Sequence, residues 1–240
     1  MISRLRRFLC TLSCLALSAA TLQTQSAAQA PSSSSAKQID KPAAPNSGLD
    51  SGAVTSGVYR NKTLALTCKI PPGWVLRTDE LNEQSQQKEE EKQGEKKAES
   101  SPTPAAAPSA GAKVLLAAFS RPPEARAEDV NSSILIAAES VSAYPGLTEA
   151  AQYFFPLIEV AKAQGFFPDE EPYETAVGTK TLVRGDFHKN VGTRVMRQST
   201  LAMLAHGYVI SITVIAGTDD EVEDLIDTLD FIGNKTASGK

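Results

Sequence analysis

The stretch TLAMLAHGYVISITV, Thr200 to Val214, decides the fold class. On each side of His206-Gly207 the apolar residues alternate with small or polar ones, the period of a β-strand whose faces differ. His-Gly between two such runs suits a two-residue hairpin turn, with glycine supplying a positive φ. That turn fixes the register. Met203 then pairs with Ile210 and Leu201 with Ile212 on the core face. Thr200 meets Thr213, and Ala202 meets Ser211, on the other face. The sheet is therefore antiparallel where it can be read most directly.

Further strands follow outward from this hairpin. TLVRGDFH (181–188) and TRVMRQSTLAML (193–204) precede and enter it. KVLLAAFS (113–120) and SSILIAAES (132–140) are short apolar runs, the mark of strands covered on both faces. LALTCKI (64–70) alternates, with Leu64, Leu66, Cys68 and Ile70 turned one way. Pro71-Pro72-Gly73 stops that strand and turns the chain, and Trp74, the only tryptophan, is expected to plug the sheet edge.

Two helices are legible. From Thr148, residues Leu147, Ala151, Phe154, Ile158 and Ala161 recur at three- and four-residue steps, and Gly165 ends the run. Pro156 predicts a kink or break there. Thr218-Asp219-Asp220-Glu221 has the form of a capping box, and Val222, Leu225, Ile226 and Leu229 make the apolar stripe of the second helix. Phe231 and Ile232 close the fold. The order of strands, helix, strands and helix gives an α+β domain, an antiparallel sheet with helices on both faces.

The ends and one insertion read differently. MISRLRRFLCTLSCLALSAATLQTQSAAQA (1–30) has a cationic start, a diluted apolar stretch and the small residues Ala28-Gln29-Ala30, the order of a secretory signal peptide. Cys10 and Cys14 depart with it, leaving Cys68 and no internal disulfide. Residues 31–56 are Ser-, Ala-, Pro- and Gly-rich and read as a disordered tether. Residues 82–112, NEQSQQKEEEKQGEKKAESSPTPAAAPSAGA, read as a disordered insertion; Glu-Lys pairs favour transient helix in its first half only. The domain is placed at 57–232, with 233–240 as a flexible tail.

Charge narrows the function classes. Taking Arg4, Arg6 and Arg7 from the 24 Lys and Arg leaves 21 against 28 Asp and Glu, a net of −7. Nucleic-acid binding needs clustered cations, so an acidic, exported chain points elsewhere. No membrane span is expected after signal cleavage.

GVYRNKTLALTCKIPPGWVL (57–76) resembles the opening of the PsbP-like family, in which Tyr-x-Asn leads into a strand that ends at Pro-x-x-Trp. The matching residues are Tyr59, Asn61, Pro71 or Pro72, and Trp74. The resemblance covers 57–232 apart from the insertion, and implies an α/β/α sandwich around an antiparallel sheet. The family includes lumenal subunits of the oxygen-evolving complex and exported bacterial proteins, and a nuclear-import factor that binds a small GTPase shares the fold. The chain departs from the pattern at the turn after the first hairpin, where Leu64 or its neighbours stand in place of a frequent glycine.

Candidate chemistry is sparse. Arg184, Asp186 and His188 share one strand face by alternation, with Arg197 nearby. Together they form an anion-binding or acid-base face, Asp186 orienting the histidine, or else a solvated polar strand. No Gly-x-Ser-x-Gly elbow occurs. Cys68 reads as a core hydrophobe. PDEEPYE (168–174) and DDEVED (219–224) are acidic without the spacing of a calcium loop. Asn61, Asn131 and Asn234 begin Asn-x-Ser/Thr sequons. The sequence leads to a non-catalytic exported domain, with no cofactor and no metal, that binds or stabilises a protein partner in the bacterial cell envelope, periplasmic or extracellular. The alternative is a small-molecule binder or enzyme using the Arg184/Asp186/His188 face.

Overall fold

A computed structural model describes residues 49–94, 112–125 and 129–232, with side chains omitted over 88–94. The expected signal peptide, the first part of the tether, the Pro-Ala-Ser half of the insertion and the C-terminal tail lie outside the described residues.

The His206-Gly207 hairpin stands as read. β10 (Arg194–Ala205) and β11 (Tyr208–Ala216) pair antiparallel with Met203 opposite Ile210, Leu201 opposite Ile212, Thr200 opposite Thr213 and Ala202 opposite Ser211. Both turn residues have positive φ, 53° for His206 and 80° for Gly207, which matches the twist that closes a type I′ hairpin. The remaining strands are β1 (Ala53–Thr55), β2 (Val58–Asn61), β3 (Leu66–Lys69), β4 (Val75–Leu76), β5 (Lys113–Phe119), β6 (Ser133–Ser140), β7 (Phe167–Pro168), β8 (Tyr173–Val177), β9 (Lys180–Val191) and β12 (Leu229–Phe231). An eight-stranded sheet runs β4-β5-β6-β11-β10-β9-β7, with β8 also on β9. All of its pairings are antiparallel.

A second sheet, unforeseen in the sequence, runs β1-β2-β3-β12. The segments flanking the insertion were expected in one sheet; instead LALTCKI supplies β3 of the small sheet, and only β4 joins the large one. The crossing point is the Pro-Pro-Gly-Trp turn. Trp74 N–H donates to Pro71 O at 3.3 Å and Gly73 has φ 85°, the positive φ that a type II turn demands at its third residue. β3 therefore ends in one sheet and β4 begins in the other. Trp74 is half-buried against the core between them rather than sealed within it.

That core gathers Leu116, Ile136, Leu201, Ile210 and Ile212 from the large sheet with Tyr59, Leu66, Cys68 and Phe231 from the small one. The α-helix α3 (Asp219–Ile226) covers the same face, burying Val222, Leu225 and Ile226. Thr218 caps it by accepting from Glu221 N–H at 3.2 Å. The return bond goes from Gly217 N–H to the Glu221 carboxylate, one residue earlier than the capping box predicts. On the opposite face α2 (Phe154–Ala163) packs Phe154 and Ala161 with Phe187, Ala202 and Val209. α1 (Thr78–Gly94) brings Leu81 to Val114, Ala117 and Leu135. Helices thus lie on both faces of the large sheet, and the fold is α+β.

Four further expectations are corrected. The insertion is not disordered from residue 82, because α1 runs through Gly94. The tether does not last to Ser56, because Leu49 is buried and β1 is hydrogen-bonded to β2. The helix expected from Thr148 is a 3-10 turn at Ala150–Tyr153 followed by α2. Pro156 is its third residue, within the turn whose N–H groups have no helical partner, so the break falls ahead of the proline. Ile232, expected to close the fold, is 57% exposed.

Candidate functional site

The family-like residues Tyr59 and Asn61 are structural. They alternate inward on β2, each 1% exposed. Tyr59 donates its hydroxyl to Ser51 O at 3.0 Å, and Asn61 donates Nδ2 to Asp50 O at 2.7 Å and to the Tyr59 hydroxyl at 3.2 Å. Asn61 Oδ1 accepts from Leu64 N–H at 2.9 Å. One asparagine therefore ties the lead-in to β1 and closes the β2–β3 turn. In that turn Ala65 takes φ 54°, a left-handed conformation that costs a residue with a Cβ about 1 kcal/mol. The Asn61 side-chain amide, committed three ways, is closed to glycosylation in the folded chain. Asn131 is likewise engaged with Ser120 and Arg121.

Strand alternation on β9 places Arg184, Asp186 and His188 on the face that carries α3, as expected, and Arg197 stands directly opposite His188 on β10. All four come together, but their partners are each other and two acidic segments. Arg184 donates from Nε to Asp186 at 2.9 Å and from its two terminal nitrogens to Glu223 of α3 at 3.1 and 2.5 Å. Its guanidinium lies 5.9 Å from the Tyr173 ring centroid, and its side chain is 10% exposed. Burial works against the charge, yet the bonds to Glu223 and Asp186 outweigh it and leave the Arg184 pKa above its ordinary value.

Asp186 does not orient the histidine. It accepts from Arg184 and from the Tyr173 hydroxyl at 2.8 Å. The partner of His188 Nδ1 is Asp169, which also faces Arg197 at 3.6 Å. Arg197 Nε reaches Asp219 of α3 at 3.2 Å. Burial, then the bond to Asp186, pushes the Tyr173 hydroxyl up to about 12.

Asp169, Tyr173, Asp219 and Glu223 were not assigned to this face from the sequence. They come from the acidic runs PDEEPYE (168–174) and DDEVED (219–224), whose charge complementarity to Arg184 and Arg197 was the available signal. With two arginines against Asp169, Asp186, Asp219 and Glu223, the face has a net charge of −2 with His188 neutral. An anion would meet repulsion there, and Arg184 has no free N–H fork to offer it.

The other histidine is the turn residue expected, its Nε2 donating to Thr63 O at 3.1 Å. Cys68 is fully buried, 3.6 Å from the Thr228 hydroxyl, and burial pushes its thiol up to about 11. On the α2 face, buried Glu139 accepts from the hydroxyls of Tyr153, at 2.7 Å, and Tyr144. Two surface clefts, of about 390 and 430 Å³, lie elsewhere, and none of Arg184, Asp186, His188 and Arg197 lines either.

No family model and no curated protein matches the chain. Solved structures resemble it remotely. LpqN of Mycobacterium tuberculosis, described as involved in cell envelope biogenesis, is 14% identical over 68% of this chain and 76% of its own, with a TM-score of 0.32. The Saccharomyces cerevisiae Ran-binding protein Mog1p is 11% identical over 70% of this chain and 90% of its own, with a TM-score of 0.36. A Pseudomonas aeruginosa protein of unknown function, a possible regulator by its description, is 16% identical over 42% of this chain and 68% of its own, at 0.31. The chain is similar to these three, and at such scores the α+β assignment rests on its own strand pairings.

Proposed function

We propose that the chain is an exported, non-catalytic, PsbP-like domain that binds or stabilises a protein partner in the bacterial cell envelope. The observation that supports this reading is the commitment of its most polar face to internal bonds. Arg184 ties β9 to α3, Arg197 ties β10 to α3 and to Asp169, and the Tyr173 hydroxyl is held by Asp186. A general base needs a proton to take and a substrate within about 3 Å; here His188 lines neither of the two clefts described above. The anion-binding or enzymatic alternative is opposed by the net charge of that face. The order of charges and apolar residues in 1–30 supports export.

The test is fractionation of the full chain with a C-terminal tag, followed by chemical crosslinking of the envelope fraction. A protein shortened by its leader, in the envelope and crosslinked to a discrete partner, is expected. A full-length cytoplasmic protein, or an envelope protein with no crosslinked species above an untagged control, would overturn the reading.

A further inference from the structure

The cleft of about 390 Å³ lies between residues 51–54 and the junction of β4 with α1, with Tyr59 and Leu115 also lining it. Two sheets expose an edge here. β1 is the outer strand of the small sheet and β4 of the large one. Ile70 N–H donates to Gly57 O at 2.8 Å, so Gly57 faces β3; by alternation Val58 faces β1 and pairs with Thr55. Val54 then turns its N–H and C=O away from β2, onto the open edge. Arg77 N–H donates to Ala117 O at 2.9 Å, so Leu76 likewise turns its N–H and C=O away from β5. Among the described residues both pairs are free and belong to residues that line the cleft, Val54 being 37% exposed and Leu76 43%.

The rim has a definite sign. Asp79 and Glu80 of the first turn of α1 border the cleft, and its one cation, Arg77, is already held by Glu80 and by Glu124. One arginine against two carboxylates leaves the lining at −1, and Arg77 is further neutralised by Glu124 from outside the cleft. We propose that this cleft docks an extended, basic peptide segment of a partner protein, which pairs its main chain with the free edge of β1 and sets apolar side chains against Val54 and Leu76. Main-chain bonds supply affinity in this mode and alternate side chains supply selectivity, here lysine or arginine toward Asp79 and Glu80.

The surface deepens the binding reading above and rests on it. The probe is a capped heptapeptide of alternating valine and lysine, titrated into the isotope-labelled full chain and followed by amide NMR. Saturable shifts centred on the Val54 and Leu76 amides are expected, with dissociation constants below about 1 mM. N-methylating alternate peptide amides, or replacing each lysine by glutamate, is expected to weaken binding by about tenfold or more. Asp79→Lys is exposed at a helix surface and leaves the fold intact; it is expected to weaken the lysine peptide and strengthen the glutamate one. No saturable shift, shifts centred elsewhere, or equal binding of the N-methylated peptide would overturn the groove. Failure here with envelope capture intact removes this surface alone; peptide binding by a cytoplasmic chain removes only the location.

Discussion

Replacing Asn61 with alanine tests how the family-like opening works. The side chain makes three hydrogen bonds at 1% exposure, to Asp50 O, the Tyr59 hydroxyl and Leu64 N–H. Tyr59 keeps its bond to Ser51 O, so its hydroxyl stays satisfied. Leu64 N–H sits in a buried residue and loses its acceptor, a penalty of about 1–3 kcal/mol. Asp50 O is nearer solvent and adds about 0.5–1.5 kcal/mol as an ordinary lost bond. The sum is about 1.5–4.5 kcal/mol, read as a lower urea midpoint at unchanged slope. Amide exchange should accelerate first at Leu64 and across residues 50–54, because the lead-in is tied there. Tyr59→Phe removes the Ser51 bond and is expected to cost about 1 kcal/mol. An Asn61→Ala protein within about 0.5 kcal/mol of wild type would refute the assignment of Asn61 as the tie between the lead-in and the β2–β3 turn.

Ala65→Gly should stabilise the domain by about 0.5–1 kcal/mol in the same urea assay, since glycine adopts φ 54° without a Cβ penalty. Gly185→Ala should do the reverse: a Cβ there would stand 2.6 Å from Phe154 Cε1, and overpacking of this kind costs about 1–3 kcal/mol, with faster exchange confined first to α2. The Cys68 thiol rises from 9.0 to about 11 on burial, so the unfolded chain ionises first. Its contribution to stability is complete below pH 9 and is lost as pH climbs toward 11. Iodoacetamide at pH 8 should label Cys68 at a rate that follows urea unfolding; fast labelling of the native protein would contradict its burial.

What the sequence disclosed depends on the length of each pattern. β10 and β11 are a dozen and nine residues long, with small or polar residues interleaved among the apolar ones around a two-residue turn, so pattern and turn chemistry agreed on one register. The small sheet escaped because β1 and β12 have three residues each and β2 only four, too few for any period. The pairing of Phe231 with Leu66 also joins positions with no local signal between them. α1 was obscured for the opposite reason: its sequence is polar apart from Leu81, and Leu81 and the Asn82 bonds to Val114 fasten it. At the candidate site, period two alone placed Arg184, Asp186 and His188 on one face. Which carboxylate met which cation depended on β7 and α3 arriving from elsewhere, and Asp169 rather than Asp186 met the histidine.

The most direct test of the central claim, that the polar face is an internal brace, is a double-mutant cycle between Arg184→Met and Glu223→Gln. The Arg184 side chain is 10% exposed and that of Glu223 55%, so the contact is screened on one side only. A favourable coupling energy of about 1 kcal/mol is predicted, with Arg184→Met the costlier single change because it also strips Asp186 of its cation. Coupling indistinguishable from zero, or an Arg184→Met protein as stable as wild type, would show that these groups do not hold α3 to the sheet and would contradict the account.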